Sequence, residues 1–207
     1  MSAPFSPPDP FYPIVDSADW LRRLLPLGVR FVQLRIKELS GEALRAEIIA
    51  ARDLCRQHGA ALVVNDFWQI AIEEGCEWIH LGQEDLAEAD LPAIRRAGLR
   101  LGVSTHDHEE LDRALSINPD YVALGPVWPT VLKEMKWAPQ GVERIREWKR
   151  LAGATPLCAI GGLTPERGRE CLDEGADIVS VVTDILLNPD PEARTREWIA
   201  ATRAPAT

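Results

Sequence analysis

The stretch FVQLRIKE, residues 31–38, places Val32, Leu34 and Ile36 on one side of an extended chain and Gln33, Arg35 and Lys37 on the other, because strand side chains alternate with period two. One side is apolar; the other is long, polar and cationic. In an antiparallel sheet the polar side would face water, whereas in a closed parallel barrel it would face the interior and its mouth. The segments on either side decide between the two.

Outward from this stretch the chain repeats one pattern, a short apolar run followed by a longer amphipathic one. Strands are predicted at 11–16, 31–37, 61–65, 78–82, 100–104, 121–125, 156–161 and 178–183, with helices at about 17–27, 40–58, 67–74, 90–97, 107–117, 141–152, 164–174 and 189–202, from hydrophobic periods of two and 3.6. Ser40 and the pair Thr164–Pro165 mark helix starts, and Gly28, Gly59, Gly75, Gly98, Gly153 and Gly175 mark stops. Strand–helix alternation implies parallel neighbours joined by crossovers. Eight such pairs predict a single α/β domain, a (β/α)8 TIM barrel over 11–203, after a Pro-rich leader at 1–10 expected to be disordered. The other architecture, an open doubly wound sheet, requires a G-x-G-x-x-G turn after its first strand, and FYPIVDSADW contains none.

A chain of 207 residues is sized for one large domain, and 46% hydrophobic with 27% charged residues is ordinary for a soluble globular protein. No apolar run is long enough to span a bilayer, so a membrane role is not expected. The net charge of -9 argues against a nucleic-acid surface, and any anionic ligand then needs a local cationic pocket. The start MSAPFSPPDP has neither the basic nor the apolar region of a secretory signal, which predicts a cytoplasmic location. Cys55, Cys76, Cys158 and Cys171 lack CxxC spacing and are expected as buried, reduced thiols.

In a barrel of this kind chemistry gathers where strands end at their C-termini. The second strand delivers Arg35 and Lys37 there, the third Asn65 and Asp66, the fourth runs into GQEDL with Asp85, and the fifth ends at Ser104. Asp66 and Asp85 are either turn and cap aspartates or, from neighbouring strands, oxygen ligands of the number that suits Mg²⁺. The turn IGGLTP after strand seven and VVTDI at strand eight stand where barrels commonly bind phosphate through backbone N–H groups. Residues 127–141 form the longest connection and carry Lys133 and Lys136, a candidate lid over the mouth. His80 reads as a core or site-facing histidine, and no residue stands out as a general base.

The segments QLRIK, VVNDFWQIAIEEG, IHLGQEDL, RLGVSTH, ALGPVWPT, APQG and AIGG occur in an order that resembles the thiamine-phosphate synthase family, from Phe11 to about Trp198. The resemblance implies an enzyme of two small-molecule substrates, a hydroxymethyl-aminopyrimidine diphosphate and a hydroxyethylthiazole phosphate, with Mg²⁺ as cofactor. It implies that Gln33, Arg35, Lys37, Asn65 and Ser104 hold the pyrimidine diphosphate and that Asp66 and Asp85 bind Mg²⁺. It further implies that Thr130 begins the thiazole-phosphate loop, that Lys133 contacts the diphosphate, and that Gly162, Val182 and Thr183 cup the thiazole phosphate. Arg35, Lys37, Lys133 and Ser104 are the implied catalytic set.

The family loop usually reads Thr-x-Thr-Lys, and here Leu132 stands at the second threonine. A hydroxyl donated to an anion contributes about 1.5–3 kcal/mol, so either affinity for the thiazole phosphate is reduced or a backbone N–H or Lys136 replaces it. Two other readings remain open on sequence alone. A thiazole tautomerase-like barrel would share the phosphate cup but have no use for Arg35, Lys37, Asp66 and Asp85 together, and a non-catalytic sensor of thiamine precursors would explain Leu132 as decay.

Overall fold

The computed structural model describes residues 6–130 and 138–203. Eight strands, β1 (Phe11–Val15), β2 (Phe31–Leu34), β3 (Ala61–Asn65), β4 (Trp78–Leu81), β5 (Arg100–Thr105), β6 (Tyr121–Leu124), β7 (Leu157–Ile160) and β8 (Ile178–Val181), close a barrel in sequence order. Every neighbouring pair is parallel, and β1 pairs with both β2 and β8. The helices that cover it are α1 (Ala18–Leu24), α2 (Gly41–His58), α3 (Trp68–Glu73), α4 (Gln83–Glu88), α5 (Leu91–Arg96), α6 (His108–Ser116), α7 (Glu143–Ala152), α8 (Pro165–Asp173), α9 (Thr183–Leu186) and α10 (Pro191–Arg203). The expected barrel is therefore the observed one.

The two faces of each strand go to two different cores. Val32, Leu34 and Ile36 join the large apolar layer between sheet and helices. The inward side chains Tyr12, Phe31, Val63, Trp78 and Tyr121 form a separate cluster that plugs the lower interior, with Tyr12 and Phe31 stacked at a centroid distance of 4.2 Å. Each such ring buries about 150–250 Å², about 4–6 kcal/mol of gross hydrophobic transfer. Tyr121 fits because β5 carries Gly102 beside it: a Cβ there would lie 2.0 Å from Tyr121 Cζ. The plug forms the floor of the site.

Several boundaries differ from the sequence expectation. Strand β2 ends at Leu34 and not at Lys37, and α1 ends at Leu24, followed by a 3-10 turn over Leu25–Leu27. Helices α4 and α9 are additions to the expected set; each is too short to show an amphipathic period. Ser40 precedes α2 as expected but makes no side-chain cap, whereas the Thr164 hydroxyl accepts from the Arg167 N–H. The stop glycines at 28, 59, 75, 98, 153 and 175 are all left-handed in φ. The four cysteines are buried and free. Of the expected leader, residues 1–5 lie outside the described residues, while Asp9 is buried, accepts the Phe11 N–H at 3.0 Å and pairs with Arg203 at 2.8 Å. Arg203 also donates to the Gly28 carbonyl at 2.7 Å, which ties the last helix to the lower rim.

Candidate active site

Above the aromatic floor the barrel opens into a chamber of about 530 Å³. Gln33, Arg35 and Lys37 climb one wall: Gln33 is 2% exposed, Arg35 is half-buried and Lys37 is exposed at the rim. The Arg35 N–H donates to Val15 O at 2.8 Å, so the chain stays extended past the strand and keeps the alternation. All three line the chamber, as FVQLRIKE implies, but only Arg35 is a partly buried cation. Among the described residues neither Arg35 nor Lys37 forms a salt bridge. A half-buried guanidinium that feels the Asp66 carboxyl but makes no salt bridge with it is costly unless an anion joins it.

Asn65, buried at the end of β3, is followed by Asp66 in the left-handed region at φ 66. That conformation, unusual for a non-glycine residue, is held by Asp66 N–H to His80 O at 3.0 Å and by Trp68 N–H to Asp66 O at 2.8 Å. It brings the Asp66 carboxyl into hydrogen-bond contact with that of Asp85, in the first turn of α4. Burial, and then the Asp85 charge, push the Asp66 carboxyl up to about 6, while Arg35 opposes the shift. The Asp66 carboxyl therefore keeps its proton below about pH 6 and is free to meet a cation above it. A pair of hard oxygen donors fits Mg²⁺, which keeps several waters and is completed by phosphate. Among the described residues no group of three or more His, Cys, Asp or Glu is arranged to hold a metal ion by itself.

On the next strand Ser104 faces the chamber with its Oγ 2.8 Å from His80 Nε2, and its carbonyl accepts from Gln83 at 2.7 Å. His80 is buried against the Tyr121 ring, centroids 5.5 Å apart, and burial holds its pKa down to about 4. It is therefore a neutral imidazole, not a cation. His106 is drawn to Glu110, with Nδ1 2.7 Å from Oε2, and its carbonyl accepts from Gln140 at 3.0 Å.

The opposite wall is built from backbone. Gly161 and Gly162 follow β7 at φ +101 and +64, and a Cβ on Gly162 would lie 2.4 Å from Pro129 O and 2.8 Å from Trp128 Cβ. Two ladder-like bonds, Val127 N–H to Ile160 O at 2.9 Å and Trp128 N–H to Gly161 O at 3.0 Å, press the start of the long connection onto this turn. Arg167 clasps both parts: Nη1 donates to Gly162 O at 2.7 Å and its guanidinium lies 5.3 Å from the Trp128 ring centroid. Thr130, Val182 and Thr183 line the chamber beside them.

A family profile described as thiamine monophosphate synthase matches residues 11–185. The chain belongs to that family. It is 64% identical over 194 residues to a thiamine-phosphate synthase of Rhizobium etli, covering 94% of this chain and 95% of the relative. A thiamine-phosphate synthase of Serratia proteamaculans is 48% identical over 91% of this chain and 89% of its own. Among solved structures, a thiamine phosphate pyrophosphorylase from Pyrococcus furiosus superposes with a TM-score of 0.82 at 26% identity, covering 93% of this chain and 94% of that one. The chain is thus a transferase of thiamine biosynthesis, and neither the tautomerase-like nor the sensor reading is favoured.

Of the residues that the family resemblance singles out, Gln33, Arg35, Lys37, Asn65, Asp66, Asp85, Ser104, Thr130, Gly162, Val182 and Thr183 all line the one chamber. Leu132 and Lys133 lie outside the described residues. Sequence reasoning missed Tyr12, Glu110 and Ser180, which also line the chamber. Tyr12 and Ser180 carried a signal after all, since both sit at inward positions of their strands, paired in register. Ser180 Oγ is buried without a hydrogen-bond partner among the described residues. Gln83, in the GQEDL stretch after strand four, rides on the short helix α4 and also lines the chamber.

Proposed function

We propose that the chamber joins a hydroxymethyl-aminopyrimidine diphosphate to a hydroxyethylthiazole phosphate, or to its carboxylated form with release of CO2, giving thiamine phosphate and pyrophosphate. What carries the reading is the pairing of two anion sites in one cavity. One wall offers Arg35 and Lys37, without a salt bridge among the described residues, next to the Asp66–Asp85 pair, and the other offers the glycine turn at Gly162 with Thr183.

The bond from the pyrimidine methylene to the diphosphate oxygen breaks, and its electron pair leaves with pyrophosphate. The electron-rich aminopyrimidine stabilises the resulting cation, and the thiazole nitrogen lone pair forms the new C–N bond. With the uncarboxylated thiazole no proton has to move, which accounts for a site without a general base. Gln33, Asn65 and Ser104 hold the ring, while Arg35, Lys37 and Lys133 stabilise the charge that grows on the leaving group. Fixed charge of this kind often lowers a barrier more than any other single device. Asp66 and Asp85 would hold Mg²⁺, which neutralises diphosphate charge when bound. The backbone N–H groups around Gly162 and Thr183 bind the thiazole phosphate and set its nitrogen toward the methylene. A cytoplasmic setting belongs to the same proposal.

Purified protein supplied with both substrates and Mg²⁺ should yield thiamine phosphate and pyrophosphate in equal amounts. No product at saturating substrate would overturn the reading.

A further inference from the structure

Beneath the substrate-facing residues, five side chains from five strands form one hydrogen-bonded chain. Gln33 Nε2 donates to Tyr12 Oη at 2.9 Å, Tyr12 Oη lies 2.9 Å from Tyr121 Oη, Tyr121 Oη 2.7 Å from His80 Nδ1, and His80 Nε2 2.8 Å from Ser104 Oγ. Gln33, Tyr12, Tyr121 and His80 are all at least nine-tenths buried. Both ends of the chain open into the chamber.

With Gln33 Nε2 as the donor to Tyr12 Oη, the direction of every other bond follows from counting protons. Each tyrosine has one, and a neutral imidazole has one N–H. Tyr12 already receives a proton from Gln33, so its own must go to Tyr121; were Tyr121 to donate instead, the Tyr12 O–H would be buried with no acceptor. The Tyr121 proton then goes to His80 Nδ1. The single imidazole N–H is left on Nε2, where it meets Ser104 Oγ. The Ser104 proton has no further place in the chain and turns to the chamber. At the other end Gln33 spends an amide N–H on Tyr12 and turns its Oε1 to the chamber.

We propose that this chain is a polarity lock, in which Tyr12, Tyr121 and His80 act as positioning residues that fix Gln33 as an acceptor and Ser104 as a donor. The pair then recognises a heteroaromatic edge that offers an N–H donor together with an unprotonated ring nitrogen, the pattern of an aminopyrimidine. A ring lacking the amino group leaves the Gln33 acceptor unpaired, and one that carries an oxo group in its place with a proton on the ring nitrogen sets acceptor against acceptor and donor against donor. Sites that hydrogen-bond a substrate in this way reject mismatched analogues strongly, because the buried groups are left unpaired.

The proposal deepens the synthase reading and rests on it for the identity of the ring, but its first test needs no turnover. Nitrogen NMR of the histidine-labelled full chain, with the His80 signal assigned by its loss in His80→Asn, should show Nε2 protonated and Nδ1 bare at neutral pH. The opposite tautomer, or an imidazolium, would overturn the lock. The second test is Tyr121→Phe, which keeps the ring over Gly102 and removes only the hydroxyl. It should raise KM for the pyrimidine diphosphate by about ten-fold and leave KM for the thiazole phosphate within about two-fold. Equal changes in both, or none, would overturn it. A wild-type protein that forms no product would count against the synthase reading alone, with the spectrum still deciding the tautomer.

Discussion

Replacing Gly162 by alanine separates backbone strain from loss of the anion site, because Gly59 provides a control with the same φ of +64. At Gly59, which ends α2 on the opposite rim, an added Cβ meets nothing within 4 Å. Gly59→Ala should therefore cost only the left-handed penalty of an L-residue, about 1–2 kcal/mol. At Gly162 the same Cβ would stand 2.4 Å from Pro129 O, 2.8 Å from Trp128 Cβ and 3.0 Å from Trp128 C. Two of those three atoms are backbone, so no side-chain rotation relieves the clash, and overpacking adds about 1–3 kcal/mol. Gly162→Ala should thus destabilise by about 2–5 kcal/mol in urea unfolding. Relief requires moving residues 128–130 off the turn, so KM for the thiazole phosphate should rise about ten-fold or more while KM for the pyrimidine diphosphate stays near normal. If the two alanine variants were equally stable, or if Gly162→Ala left KM for the thiazole phosphate unchanged, the picture of a close-packed phosphate turn would be wrong.

Other parts of the site give further expectations. Arg35→Ala and Asp85→Ala should each lower turnover by two or more orders of magnitude, about what removal of a fixed charge-stabilising group costs, with the folded circular-dichroism spectrum retained; near-normal rates would remove them from the mechanism. Leu132→Thr should tighten the thiazole phosphate by about ten-fold or more if a donor is missing there, and isothermal titration showing no gain would mean that another group already serves. Because the Asp66 carboxyl is pushed up to about 6, it is protonated below that pH and Mg²⁺ must displace the proton. Calorimetric Mg²⁺ affinity should be constant well above pH 6 and fall as the pH drops through it; affinity unchanged down to about pH 4, where an ordinary carboxylate titrates, would contradict the assignment.

The barrel was legible because eight parallel strands in sequence order need seven crossovers, and each strand left an apolar run and each crossover an amphipathic one in the sequence. FVQLRIKE gave the right facing for Gln33 and Arg35, yet not the end of its strand. The alternation runs on through Ile36 and Lys37 while sheet pairing stops at Leu34, and a period of two cannot distinguish a paired strand from an extended rim. Asp66 and Asp85 could be named but not paired, since their meeting depends on one left-handed residue and on α4, a helix shorter than two turns. The chain from Gln33 to Ser104 was invisible for a different reason. Tyr12 and Tyr121, 109 residues apart in sequence, each read as an ordinary aromatic in an apolar run, and only closure of the barrel sets one hydroxyl against the other.

In the proposed site Arg35 and Lys37 face the Asp66–Asp85 pair across one bound diphosphate. Crystals grown with the pyrimidine diphosphate and Mn²⁺ in place of Mg²⁺ test it directly by anomalous scattering. One strong peak should bridge the Asp66 and Asp85 carboxylates and the diphosphate, with Arg35 on the diphosphate oxygens. A peak elsewhere, or a diphosphate seated on the Gly162 turn instead, would contradict it.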